Sequence, residues 1–352
     1  MRVLVLRSAT RPLDLLGEGA PPAALATEVA AALRAAGAQV QVVTLDGPVV
    51  LDSWSAGVQS MATSLVRDHA DADAVHALDV VAGAAALAAR RETGARVVVR
   101  AQSTHLGSGP MRVLWPLVLR AADAVVAPTA ADAREAVALG AAASTVVRCV
   151  DGALLASAIC SPAAPMVDEV RAEGYLLAMS GVPEDPRTAR ELVRTVAATG
   201  HRLVVASPSG RDEPARTFLR WLAEEHSVQD RLELVGRVTG PDFFDLVDRC
   251  QAVIATRAEP SCGLAPLVAM HRARPVVAVA GASATEVLVD GVTGRLVDPT
   301  VPYEMASAVE DLVETRFRRL AWGVAGRDRV QSCFAPEQVA RSLTLAHEIA
   351  AA

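Results

Sequence analysis

A chain of 352 residues, 52% hydrophobic and 21% charged, exceeds the size at which one core stops growing and carries no disorder signature, so two domains are predicted. A formal charge of −6 and 3% aromatic residues leave neither a basic footprint for nucleic acid or an anionic membrane nor aromatics to stack on bases. All 34 Lys/Arg positions are arginine, which excludes a Schiff-base lysine and a Walker-type phosphate loop.

In chain order, a strand is predicted over 3–6 and a helix from about 22 to 36, where Leu25, Val29 and Leu33 share one face and Gly37 ends it. Strands follow over 40–44, 74–77, 97–100, 124–127 and 145–147. Short apolar strands alternating with helices predict a parallel, doubly wound sheet. Arg112, Trp115 and Arg120 lie on a helical stretch that reads as an ordinary packed helix rather than a membrane-docking one. The pattern lapses from about 153 to 174, where Pro162 and Pro165 suit a linker.

Alternation resumes with strands over 175–179, 203–206, 232–235, 253–256 and 275–279, separated by helical patterns such as 191–198 and 217–225. The expected fold is therefore α/β, with two Rossmann-like domains of doubly wound parallel sheet. The predicted boundaries are 1–155, a linker over 156–173, 174–334, and a tail helix over 335–352 that packs back on the first domain. Ligands of such sheets bind beyond the carboxyl ends of the strands, which makes an interdomain cleft the expected site.

Cys149, Cys160, Cys250, Cys262 and Cys333 are scattered, without metal-ligand spacing, and read as thiols of a reducing cytoplasm. The opening residues carry no small-residue cleavage site, and no uninterrupted apolar run is long enough to span a membrane. A cytoplasmic protein is the expectation. His76, at a strand end, reads as a local hydrogen-bonding residue.

The most informative stretch runs Arg257-Ala258-Glu259-Pro260-Ser261-Cys262-Gly263-Leu264-Ala265-Pro266-Leu267-Val268-Ala269-Met270. It reads as a strand end, an acidic turn, a glycine that admits close backbone approach, and a helix beginning near Leu264. A helix N-terminus preceded by glycine suits the diphosphate of a nucleotide, and Glu259 at the lip suits sugar hydroxyls. Arg274-Pro275-Val276-Val277 and Glu286-Val287-Leu288-Val289-Asp290-Gly291-Val292-Thr293-Gly294-Arg295-Leu296-Val297 follow.

These three segments, in this order, resemble the second domain of the family-4 glycosyltransferases, retaining enzymes of GT-B architecture that use nucleotide-sugar donors. The resemblance implies two domains facing a cleft and a UDP- or GDP-type sugar donor. It further implies a small-molecule or glycan acceptor on the first domain, and neither metal nor other cofactor. By the same resemblance, the donor site comprises Gly17 and Gly19 of the first domain. From the second it takes Gly181, Arg187, Gly236, Arg237, Val238, Gly263, Leu264 and Ala265, with Glu259 on the sugar.

Four positions depart from the family pattern. Val268 stands where a second Glu holds the donor ribose, and Val182 where an Arg faces the diphosphate. The first-domain Gly pair is reduced to Gly17-Glu18-Gly19. Gln102 replaces a first-domain histidine, with His105 three residues on as its substitute in the catalytic set.

Three other readings stand beside a transferase. One is an inactive GT-B protein that partners an active enzyme. A GT-B epimerase is disfavoured by the thin supply of acid/base residues, and a dehydrogenase by the lack of Gly-x-Gly-x-x-Gly after the first strand.

Overall fold

The computed structural model describes residues 1–8, 23–45, 54–101, 111–150, 174–179, 186–207, 213–237, 241–256, 264–298, 300–301 and 303–352. The chain forms two compact units, Met1–Leu155 with Ala335–Ala352, and Ala156–Glu259 with Gly263–Phe334. Each contains one six-stranded parallel sheet.

The first unit runs β1 (Arg2–Ser8), α1 (Ala23–Ala35), β2 (Gln39–Leu45), α2 (Trp54–His69), β3 (Ala74–Ala77), α3 (Val80–Thr93), β4 (Arg96–Arg100), α4 (Met111–Ala121), β5 (Ala124–Ala127), α5 (Ala130–Ala138) and β6 (Val146–Arg148). Its sheet order is β2-β1-β3-β4-β5-β6. Strands covered on both faces need no polar alternation, and β3 and β5 are buried at every position. Asp79 caps α3 by accepting from the Ala82 N–H at 2.8 Å. Thr129 and Asp132 cap α5 reciprocally. Asp123 ties neighbouring elements together, accepting from Arg90 at 2.7 Å and from the Val97 N–H at 2.8 Å.

Two expectations are refined here. Thr145 does not open a strand: its N–H and hydroxyl both bond back to the Ala142 carbonyl, closing a 3-10 turn before β6. Trp115 is buried on α4, while Val113 and Leu117 of the same helix are exposed.

The second unit runs β7 (Tyr175–Ala178), α6 (Pro186–Thr199), β8 (Arg202–Ser207), α7 (Glu213–Glu225), β9 (Leu232–Arg237), α8 (Pro241–Arg249), β10 (Ala252–Ala255), α9 (Leu264–His271), β11 (Val276–Val279), α10 (Ala282–Val287), β12 (Gly294–Val297), α11 (Glu304–Glu314) and α12 (Arg316–Cys333). Its order is β12-β11-β10-β7-β8-β9. Gly294–Val297 is an edge strand paired to β11. The long α12 packs against α9 through glycines. A Cβ at Gly323 would lie 2.2 Å from the Ala273 carbonyl oxygen, and one at Gly326 3.1 Å from Met270 Cγ.

The last helix, α13 (Pro336–Ala351), belongs by its contacts to the first unit, against α1, β4, β5 and β6. Val339, Leu343, Ala346, His347 and Ala350 form its buried stripe at helical spacing.

Candidate functional site

In the second unit the chain moves from β7 outward to β8 and β9, then returns through α8 to β10 on the other side of β7 and continues to β11 and β12. The strand order therefore reverses between β7 and β10. All strands are parallel, so their carboxyl ends share one edge, and the reversal opens a crevice there because successive connections depart in opposite directions. α6 packs into the core of Leu176, Ala178, Leu203 and Ile254, whereas α9 packs with α12, β10 and β11.

Pro186 begins α6 with its φ already set for a helix. Ala189, Leu192, Val193 and Val196 then recur at helical spacing and are buried to 1% exposure or less. Each such leucine or valine contributes about 1.5–3 kcal/mol of transfer free energy. The opposite face carries Arg190 over the Phe218 ring and the Arg194–Glu191 pair at 2.7 Å. Arg187, on the first turn, is exposed and has no partner among the described residues. A guanidinium so placed has all five N–H donors available to a phosphate.

β10 is buried throughout and leads to Thr256, 2% exposed, whose Oγ1 has no hydrogen-bond partner among the described residues. α9 follows, with Leu264 and Ala265 at its start. Val268 is fully buried, as are Leu267, Ala269 and Met270 beside it in the helix. A carboxylate there would need to leave the core or stay protonated. At the end of β9, Gly236 and Arg237 lie within the strand, and the register against β8 slips at Ala206/Ser207 so that Ser207 pairs with Arg237. Such irregularities re-aim the residues at a strand end. Arg216 fixes this strand from α7 through the Leu234 carbonyl at 3.0 Å.

The amino-terminal edge of the same sheet is built differently. Arg274 donates to the Asp248 carbonyl, Arg272 lies 3.4 Å from the Asp248 carboxylate and 4.8 Å from the Phe244 ring centre, and Arg327 donates to the His271 carbonyl at 3.3 Å. Burial raises the Asp248 carboxyl above its ordinary value, against the pull of Arg272, Arg274 and Arg327. It also lowers the Arg274 guanidinium and pushes the Cys250 thiol up to about 12, which makes that cysteine inert.

A shallow pocket of about 300 Å³, counting space open to solvent, lies at the carboxyl ends of β11 and β12 beside Thr188 and Glu191. Its carboxylates are committed. Glu191 accepts from the Tyr303 N–H at 3.3 Å as well as from Arg194. Asp298 accepts from the hydroxyl and N–H of Thr300, bonds that hold its carboxyl below the ordinary range.

Of the residues expected in the donor site, Arg187, Gly236, Arg237, Leu264 and Ala265 all lie at the carboxyl edge of the second sheet. Gly17, Gly19, His105, Gly181, Val238, Glu259 and Gly263 lie outside the described residues, as do Gln102 and Val182. The sequence reading passed over Thr256, although a hydroxyl ending an otherwise apolar strand next to the acidic turn was visible. His76 is not the local hydrogen-bonding residue expected of it: it is buried inside the first unit against His347. Among the described residues there is no group of three or more His, Cys, Asp or Glu side chains able to hold a metal ion, and no helix long and apolar enough to cross a membrane.

Residues 187–315 match the family described as Glycosyl transferases group 1. An alpha-1,3/1,6-mannosyltransferase ALG2 from Dictyostelium discoideum is 28% identical over 121 residues, covering 34% of this chain and 29% of that protein. The human ALG2 is 33% identical over 100 residues, covering 28% of this chain and 24% of that protein. The chain thus spans less than a third of the length of these mannosyltransferases. In fold, the chain matches HepE of Anabaena, solved in complex with UDP, at a TM-score of 0.76 and 16% identity over 100% of both chains. Residues 187–315 thus resemble the glycosyl transferases of group 1, and the chain as a whole has the two-sheet α/β fold of GT-B proteins.

Proposed function

We propose that this protein is a retaining glycosyltransferase that moves a hexosyl group from a UDP- or GDP-type sugar to a small-molecule or glycan acceptor held by the first unit. One observation carries the reading. The segment that matches the family, 187–315, opens on Arg187 and takes in the carboxyl ends of β9 and β10 and the start of α9. The family segment thus supplies all of the described carboxyl edge around the switch point except the end of β7, which lies just before it. That HepE was solved with UDP and glucose, and that the ALG2 relatives are mannosyltransferases, supports a nucleotide hexose as donor.

In this reading Arg187 and the first N–H groups of α9 take the charge of the departing diphosphate, and Glu259 holds sugar hydroxyls. Arginine grips phosphate through two parallel bonds. We assign no protein general base: a donor phosphate oxygen takes the acceptor proton on the face the leaving group vacates, which accounts for retention. No metal is needed, so transfer should proceed undiminished in excess chelator.

Calorimetric titration with UDP, GDP, ADP and TDP tests the donor site. One nucleotide should bind at micromolar strength and lose affinity in Arg187→Ala. A second reading, a non-catalytic partner of an active transferase, is favoured by the burial of Val268, which leaves no ribose-holding carboxylate at that position. Failure of all four nucleotides to bind at millimolar concentration would select it.

A further inference from the structure

His76 on β3 and His347 on α13 are 271 positions apart in sequence and no more than 2% exposed. Nδ1 of His76 lies 3.2 Å from Nε2 of His347, with ring centres 5.3 Å apart and planes tilted by 37°. One proton bridges that gap. Whichever ring donates it, the outer atoms, His76 Nε2 and His347 Nδ1, have no partner among the described residues. One of them is then a buried N–H without an acceptor and the other a buried lone pair without a donor.

Of the elements packed on β3, β1 supplies Arg2 and Arg7, and α3 supplies Arg90, Arg91 and Glu92. β4 supplies Arg96 and Arg100, and β6 supplies Arg148, with Cys149 just beyond it. α1 supplies Glu28 and Arg34, whereas β5 and the 3-10 turn at Ala143–Thr145 supply none. On α13 itself Glu337, Arg341 and Glu348 are all exposed. Arg100, 4% exposed, acts on His76 and repels a second positive charge; no carboxylate acts on either ring. A proton taken up here would create a buried imidazolium with no counter-ion and no acceptor for its outer N–H.

We propose that the His76–His347 pair is a pH-sensitive latch: it holds α13 on the first sheet while both rings are neutral and releases the helix when they are protonated. Burial, with His347 and Arg100 adding to it, holds the His76 imidazole well below its ordinary value, and burial alone lowers His347 to about 4. A histidine depressed in the docked state binds protons preferentially in the opened state. Docking is therefore fully stable above the ordinary histidine value and weakens as pH falls below it.

Amide hydrogen exchange on the full chain, corrected for intrinsic rates, reads this out. Between pH 7.5 and 5.0 the opening constant of α13 should rise about 30-fold from His347 alone, and further as His76 follows, while α7 in the second unit changes less than about threefold. A double variant, His76→Leu with His347→Leu, should lose that excess. Should the double variant not fold, imidazole titration by NMR in the wild-type chain decides: the latch requires both rings to stay neutral in the docked state below pH 5. Opening of α13 no greater than that of α7, a full pH response in the double variant, or rings that titrate near 6.5 with α13 still docked would each overturn it.

Discussion

The two edges of the second sheet use the same residue type for opposite ends. Along the amino-terminal edge, Arg272, Arg274 and Arg327 are committed to Asp248, to the Phe244 ring and to the carbonyls that end α8 and α9. Along the carboxyl edge, Arg187 stands exposed with no partner among the described residues, and the Thr256 hydroxyl is buried with none. A cation whose hydrogen bonds are already made contributes to stability. One whose bonds are unmade contributes little to the fold and keeps its capacity for a ligand. The contrast marks which edge is scaffold and which is site.

Substitutions on the two edges should separate accordingly. Gly323→Ala should have the largest effect. Its Cβ would meet the Ala273 carbonyl at 2.2 Å, so α12 must move off α9. A loss of about 3 kcal/mol or more is expected in chemical denaturation. Arg274→Ala should follow, at about 2–3 kcal/mol, because it leaves the Asp248 carbonyl short of a donor and removes a positive charge beside a partly buried carboxylate. Its nucleotide affinity should remain that of the wild type once the protein is folded.

Arg187→Ala should do the reverse, shifting stability by no more than about 0.5 kcal/mol while weakening nucleotide binding by roughly 10- to 100-fold in calorimetry. If Arg187→Ala melts the fold, or Arg274→Ala abolishes binding at full stability, the division between the edges is wrong. Smallest is Thr256→Val, an isosteric loss of an unpaired hydroxyl, expected to leave the melting midpoint unchanged or raise stability by about 1 kcal/mol. A clear destabilisation there would mean that the hydroxyl has a partner and that this edge is less open than it looks.

The legible parts of this molecule are those decided by local pattern. Ala124–Ala127 and Ala252–Ala255 are four-residue apolar runs between helical stretches, Ala74–Ala77 is such a run broken only by His76, and each is a strand buried at every position. β12 was harder to see, since it opens on a glycine and its middle residues are only half-buried at the sheet edge. The interrupted apolar pattern of α12 conceals a helix whose contact face is made of glycines rather than leucines. At the site, Arg187 and the start of α9 were visible because a motif orders them along the chain. The arginine–carbonyl bonds of the opposite edge and the His76–His347 pair were not: they join residues 26 to 271 positions apart and exist only once the sheets have formed.

The placement of α13 bears on how the protein emerges from the ribosome. The strands of the first sheet are synthesised before the second unit, yet the helix that covers β4, β5 and β6 follows it. At ordinary elongation rates of about 5–20 residues per second, the roughly 180 intervening residues keep that apolar face uncovered for about 10–40 seconds. The second unit can fold to completion in that interval while the first waits. A ribosome that stalls before Pro336 therefore releases one finished domain and one with an open, aggregation-prone face, which makes the nascent first unit the natural client of a chaperone.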